Sequence, residues 1–242
     1  MIQKNNVKIG IIGGAGPMAS CQLYKEIINE CQQRYGCKND SDFPEITVLN
    51  YPFSNMLTKT DAANNKHLTS ELQLCFDRLA AQNIDIVAIG CNTLHTFLDN
   101  VMIRVPEFVN IAQATMNYAR ALGLNRLFIL GTQTTMQTGL YAQNNVDSIV
   151  PSIKDSTIID KIIQNILDGT ITQTDALKLQ TLVQKYFDKT PFDAIILGCT
   201  ELPLLNAEFP LKIIDEKQRA LPVLDTVKIL AQTIMRHAFE SR

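Results

Sequence analysis

The chain contains no tryptophan, only three histidines and no two cysteines in C-x-x-C spacing. Those shortages leave little material for a structural zinc site or a dithiol redox centre. Its formal net charge is −2, from 22 basic and 24 acidic residues. Bulk basicity for holding nucleic acid or an anionic membrane surface is therefore lacking, and neither is an expected partner. No apolar stretch approaches the roughly 20 residues of a bilayer-spanning helix; the run over residues 86–98 is ended by Asp99.

The six cysteines, at 21, 31, 37, 75, 91 and 199, show no small-scaffold disulfide spacing, so a reducing cytoplasm is the expected compartment. Lys4 and Lys8 precede an apolar stretch ending Met18-Ala-Ser-Cys21, which loosely resembles a bacterial lipoprotein signal. Gly10, Gly13, Gly14 and Gly16 within it suit a strand and tight turn better than a signal helix.

What the chain does have is apolar residues, 46% of 242, enough to fill the cores of two domains of roughly 100 to 150 residues each. Short aliphatic runs at 7–12, 46–50, 84–90, 126–130 and 194–197 read as buried strands, with shorter candidates at 109–111 and 212–214. Helical periodicity fills 20–34, 65–81, 113–121, 157–167, 174–187 and 222–239. This alternation predicts α/β architecture with parallel sheets flanked by helices.

One phrase is written twice. Asp85-Ile-Val-Ala-Ile-Gly-Cys91-Asn-Thr-Leu and Asp193-Ala-Ile-Ile-Leu-Gly-Cys199-Thr-Glu-Leu each run from an Asp through an aliphatic strand to a Gly and a thiol. Upstream, Lys8-Ile-Gly-Ile-Ile-Gly13-Gly-Ala and Arg126-Leu-Phe-Ile-Leu-Gly131-Thr-Gln open the two halves alike. The duplication predicts two similar parallel-sheet α/β domains related by a pseudo-two-fold, with the active site in the cleft between them. The first domain is expected over 1–106 plus 212–242 and the second over 107–211, with the crossing at Val105-Pro-Glu-Phe-Val. Helix 222–239 is expected to pack back on the first domain.

Ligands of open parallel sheets gather outside the carboxyl ends of the strands, and both cysteines stand there. Thr200 after Cys199, and Asn92 or Thr93 after Cys91, are expected helix N-caps. A thiol at a helix N-terminus ionises below its reference value of about 8.5, which suits it to proton transfer. The alternative is that both cysteines are small buried residues ending strands, and a redox disulfide between them is a further one. Cys21, Cys31, Cys37 and Cys75 read as structural. Cys91 and His95 share a helical spacing but lack a second ligand pair, so no metal is expected. Gly10-x-x-Gly13-Gly14 fits no dinucleotide fingerprint, and no acidic residue ends the second strand.

Gly13-Gly-Ala-Gly-Pro-Met-Ala, Cys91-Asn-Thr-Leu-His, Leu130-Gly-Thr-Gln-Thr-Thr and Gly198-Cys-Thr-Glu-Leu, in that order, resemble the cofactor-independent aspartate/glutamate racemase family across nearly the whole chain. The opening and the Cys-Thr-Glu ending are closest to aspartate racemase. The resemblance implies an isomerase without pyridoxal phosphate, metal or nucleotide, in which Cys91 and Cys199 act as opposed base and acid on an acidic amino acid, aspartate or glutamate. It also implies a homodimer. Carried over residue by residue, it implies substrate contacts from Gly14, Ala15, Gly16, Asn92, Thr93, Thr132, Thr135, Thr200, Glu201 and Lys161. Glu201 is expected to bond the substrate ammonium or to tune Cys199.

The chain departs from the family where an Arg is common after the second strand. Asn50-Tyr-Pro-Phe-Ser-Asn-Met-Leu-Thr58 has no basic residue, and Lys59 is the nearest. That departure leaves aspartate, glutamate, another acidic amino acid or a neutral relative open as substrate. A non-catalytic amino-acid or dicarboxylate sensor on the same fold is the alternative function.

Overall fold

The computed structural model describes residues 7–54, 62–142 and 146–240, and the chain divides into two compact units, Met1–Ala114 with Val227–Arg242, and Thr115–Thr226. In the first unit, β1 (Lys8–Gly13), β2 (Glu45–Asn50), β3 (Ile86–Ile89) and β4 (Glu107–Val109) form a parallel sheet of order β2-β1-β3-β4. In the second, β5 (Arg126–Leu130), β6 (Asp147–Ile149), β7 (Ala194–Leu197) and β8 (Val223–Asp225) form a parallel sheet of order β6-β5-β7-β8. The two orders are the same: the first strand of each unit lies between its second and third. The duplication read from the two phrases is thus a duplication of topology.

The aspartate that opens each phrase has a structural task. Asp85 Oδ2 accepts the Lys8 N–H at 2.8 Å, and Asp193 Oδ2 accepts the N–H groups of Asn125 and Arg126 at 2.9 and 2.8 Å. Each carboxylate ties the start of the central strand to its neighbour and fixes the register that the opposite, cysteine-bearing ends inherit.

Helices cover both faces of the first sheet. Leu23 and Ile27 of α1 (Pro17–Gln33) and Val227, Leu230 and Ile234 of α8 (Thr226–Glu240) pack on Ile9, Ile11, Ile86 and Ala88. Leu68, Leu72, Phe76 and Leu79 of α2 (Ala62–Ala80) pack on Ile12, Val87 and Ile89. Burial on both faces is why these strands read as continuous aliphatic runs. The expected return of the last helix to the first unit is observed.

The second unit carries α4 (Gln133–Gln137), α5 (Ile153–Leu167), α6 (Gln173–Lys189) and α7 (Leu202–Glu208), and α3 (Ile111–Ala121) spans the division. The boundaries differ from the expected ones. Residues 107–114 belong to the first unit because β4 pairs with β3, and 212–226 to the second because β8 pairs with β7. The run at 212–214 is not a strand of either sheet; Ile214 makes one antiparallel bridge to Ala220. Pro222 was expected to start a helix, but its carbonyl accepts the Ile195 N–H at 2.9 Å and leads into β8.

Candidate active site

Both cysteines sit one residue beyond the Gly that follows a central strand, and both are buried, Cys91 at 7% and Cys199 at 4% exposure. Around Cys91 the chain makes a 3-10 turn, Thr93–Phe97, rather than an α-helix. Asn92 occupies its N-cap without a side-chain cap bond, and Asn92 and Thr93 are both buried.

His95 holds this corner. Its Nδ1 lies 2.8 Å from the Cys91 carbonyl, and its Nε2 accepts the Ile111 N–H at 3.3 Å. A backbone N–H pointing at Nε2 assigns the proton to Nδ1, which donates to Cys91 O. The imidazole therefore joins the thiol-bearing turn to the first residue of α3 and has no lone pair left for a metal. Among the described residues no three His, Cys, Asp or Glu side chains cluster as a metal site.

Burial lowers the pKa of His95 from 6.5 to about 4. As the pH falls, the unfolded chain takes up this proton near 6.5 and the folded chain only near 4. The stability present above pH 6.5 is therefore lost progressively as pH drops through that window, by roughly 2 kcal/mol between pH 7 and pH 5. Urea midpoints at the two pH values should show this fall, and His95→Gln should flatten it; an unchanged slope in the variant would refute the assignment.

Gly14, Ala15 and Gly16 form the turn between β1 and α1. Gly14 has φ 101° and Gly16, the α1 N-cap, φ 82°. The Gly14 N–H donates to Ser20 Oγ at 3.2 Å, so that amide is already committed within the turn. After β2, Ser54 is held by a buried carboxylate: its N–H and hydroxyl each donate to Glu71, both at 3.1 Å. Lys59, the nearest basic residue to the family's Arg position, lies outside the described residues.

In the second unit Cys199, Thr200 and Glu201 follow β7, and Thr132 follows the neighbouring β5. The N-cap of α7 is Glu201 rather than Thr200, and neither makes a side-chain cap bond there. Instead the Cys199 thiol donates to Glu201 Oε2 at 2.9 Å, and Thr200 Oγ1 donates to the same oxygen at 3.3 Å. Glu201 is 6% exposed, and burial raises its pKa although these donors oppose the rise. A buried carboxylate with a raised pKa holds a proton more readily than an exposed one, which suits it to share a proton with the thiol bonded to it.

Thr132 caps α4, its Oγ1 accepting the Thr135 N–H at 3.2 Å and donating to Thr135 Oγ1 at 3.0 Å. Within the second unit the structure thus brings Thr132, Thr135, Cys199, Thr200 and Glu201 to two adjacent strand ends. Lys161 is not among them: it is exposed and lines a groove between α5 and α6 with Ile158, Leu177 and Lys178. Successive helix residues point about 100° apart, and it is the preceding residue, Asp160, whose Oδ1 accepts the Gln133 N–H at 3.1 Å. Sequence reading named Lys161 and passed over its neighbour Asp160, which bonds the segment after Thr132, and Ser54 and Glu71, which bond each other after β2.

The sequence profile of the Asp/Glu/hydantoin racemase family matches residues 12–234. Among curated proteins, a broad specificity amino-acid racemase of Bacillus subtilis strain 168 is 24% identical over 233 residues, covering 93% of this chain and 95% of its own. Among solved structures, the aspartate racemase of Picrophilus torridus superposes with a TM-score of 0.76 at 21% identity, over 96% of this chain and 94% of that one. A glutamate racemase of Francisella tularensis, solved with D-glutamate, superposes with a TM-score of 0.66 at 14% identity, over 99% and 83% of the two chains. The profile match spans most of the chain and takes in both cysteine motifs, so the protein belongs to the Asp/Glu/hydantoin racemase family and is an isomerase of the amino-acid racemase type.

Proposed function

We propose that this enzyme inverts the α-carbon of a free amino acid without a cofactor, using Cys91 and Cys199 as its two bases. The observation that carries the reading is the Cys199 thiol bonded to a buried carboxylate at a strand end whose counterpart in the other unit also bears a thiol. Aspartate racemase, glutamate racemase and broad specificity racemase relatives support it.

One cysteine, as thiolate, takes the Cα proton: the C–H bond breaks, an S–H bond forms, and the electron pair left on carbon spreads into the α-carboxylate. The other cysteine, as thiol, gives its proton to the opposite face of the flattened carbon and is left as thiolate. The roles exchange for the reverse direction. Inversion requires the two sulfurs to flank one carbon, since a single base returns the proton to the face it came from.

The substrate carboxylate must be neutralised as charge flows into it. Asn92, Thr93, Thr132, Thr135 and Thr200 are the proposed donors, with the Gly14-Ala15-Gly16 turn, whose Gly14 amide is taken by Ser20, contributing through Ala15 and Gly16. Glu201 is a positioning residue: it orients the Cys199 thiol through their hydrogen bond, and it takes that proton only in the resting form in which Cys199 is the thiolate that will remove the Cα proton. The expected acidic substrate asks for a cation beside its side-chain carboxylate, and Lys161 of α5 is the one proposed for it. A homodimer in the cytoplasm goes with this reading, and sedimentation of the purified protein tests the dimer.

The deciding experiment incubates cofactor-free, chelator-treated protein with single enantiomers in D2O and follows optical rotation and Cα deuteration. Exchange accompanied by inversion supports the proposal; inertness toward every amino acid tried removes it. Glu201→Gln should lower kcat by about 10- to 100-fold with a smaller effect on KM. It should also displace the pH profile of kcat. A purely structural role for Glu201 would leave that profile in place.

A further inference from the structure

We infer that His95 is a positioning residue for one of the two proton transfers: through its bond to the Cys91 carbonyl it sets the Cys91 thiol, and it takes no part in the step at Cys199. The inference rests on the two-thiol racemase reading and divides the support of the two sulfurs between different residues.

The imidazole is held on three sides. Nδ1 donates to Cys91 O at 2.8 Å, Nε2 accepts the Ile111 N–H at 3.3 Å, and the ring stacks on Phe108 of β4 with centroids 5.8 Å apart and planes at 25°. It is buried. With both nitrogens bonded and one face covered, the ring has a single orientation, and the carbonyl it holds belongs to the residue whose sulfur reacts. Burial keeps the imidazole neutral down to about pH 4, so both bonds persist wherever a thiolate can form.

The duplicated phrase diverges at this position. His95 stands four residues after Cys91, and Pro203 stands four residues after Cys199. In the second unit the Leu202 N–H donates to Cys199 O at 3.1 Å, so the backbone itself closes that turn, and the thiol is oriented by the Glu201 carboxylate. In the first unit Thr93 occupies the place of Glu201, and a side chain bonds the carbonyl. Cys199 is thus steadied at its sulfur and Cys91 at its own peptide group. A donor at Cys91 O fixes the plane of the Cys91–Asn92 amide, and with it the direction of the Cα–Cβ bond that carries the sulfur. A displacement of about 1 Å at a reacting group costs up to about 10²-fold in rate.

Two variants separate the two bonds. The Asn amide N–H lies as many bonds from Cβ as Nδ1 does, so His95→Asn keeps a donor for Cys91 O. The Gln amide oxygen lies as many bonds from Cβ as Nε2, so His95→Gln keeps an acceptor for the Ile111 N–H. Each is made in Cys199→Ser protein, which retains the Cys91 thiol, and in Cys91→Ser protein, which retains that of Cys199. The readout is Cα deuteration of the enantiomers of aspartate and of glutamate in D2O. His95→Gln should lower kcat for exchange through Cys91 by at least about tenfold, with KM and exchange through Cys199 each held within about threefold. His95→Asn should lose several-fold less than His95→Gln. Equal losses at the two thiols overturn the inference, because His95 then serves the fold or the binding of substrate. A loss in His95→Asn that matches or exceeds that in His95→Gln also overturns it, because the bond to α3 is then the one that matters.

Where the single-thiol proteins exchange no enantiomer, the failure belongs to the two-thiol reading, and alkylation by iodoacetamide decides the inference. Peptide mapping of the protein with both thiols reads the rates at Cys91 and Cys199 in one sample. A Cys91 rate changed at least about threefold by His95→Gln and less by His95→Asn, with Cys199 constant, upholds the inference. A Cys91 rate untouched by His95→Gln defeats it.

Discussion

Cys91→Ser and Cys199→Ser should each abolish racemisation, with kcat for inversion falling by about 10³-fold or more, since a serine hydroxyl is far too weak an acid to replace a thiol near neutral pH. The two losses should not look alike in D2O. A protein that keeps one thiolate can still remove the Cα proton from one enantiomer and return deuteron to the same face. Each single variant is therefore expected to wash deuterium into one enantiomer without inverting it, and the two variants should act on opposite enantiomers. NMR of the Cα signal with each pure enantiomer measures this directly. Inversion at the wild-type rate in either variant would refute the two-base mechanism, and exchange of the same enantiomer by both would place the two sulfurs on one face of the carbon.

Gly14→Ala should be the most damaging single-methyl change in the first unit. At φ 101° an L side chain is strained in any surroundings, and a Cβ at Gly14 would run into the backbone carbonyl of Tyr51. Backbone cannot swing aside as the tip of a side chain does, so the turn between β1 and α1 must move as a whole. The expected cost is roughly 3 kcal/mol or more in unfolding free energy, read from urea titration. Gly123→Ala makes the control. Gly123 also has positive φ, 71°, but a Cβ there meets nothing within 4 Å, and its cost should stay near 1 kcal/mol. Similar losses at the two positions would show that backbone conformation, and not the approach of Tyr51, limits Gly14.

The central strands were legible in the sequence because burial on both faces leaves an uninterrupted aliphatic run. All four residues of β3 and of β7 are buried, and both runs were visible as strands. The three-residue strands β6 and β8 were not. Three residues are too few to show a period of two, and Val223 and Leu224 also continue the apolar spacing of the helix that follows, so β8 merged into it. The site divided along the same line. A cysteine after an aliphatic run and a glycine identifies itself by its place at a strand end. Lys161 and Asp160 are neighbours on one helix, and which of them faces α4 depends on the rotation of α5 about its axis. That rotation is fixed by the packing of Ile159, Ile162, Ile163 and Ile166, all buried, and two adjacent charges in a sequence do not reveal it. Glu201 was visible as a candidate, but its choice of Cys199 as partner appears only in three dimensions.

The interleaving of the chain constrains the order in which the protein can be made. The second unit is a continuous segment, Thr115–Thr226, whereas the first lacks part of its core until Val227, Leu230 and Ile234 have been synthesised. During translation the amino-terminal sheet leaves the ribosome first and must wait with Ile9 and Ile11 covered by α1 alone, without α8. The later segment already has all its strands and is free to fold ahead of it. The half of the enzyme that is encoded first is thus the half that is finished last, its core completed only when α8 is made.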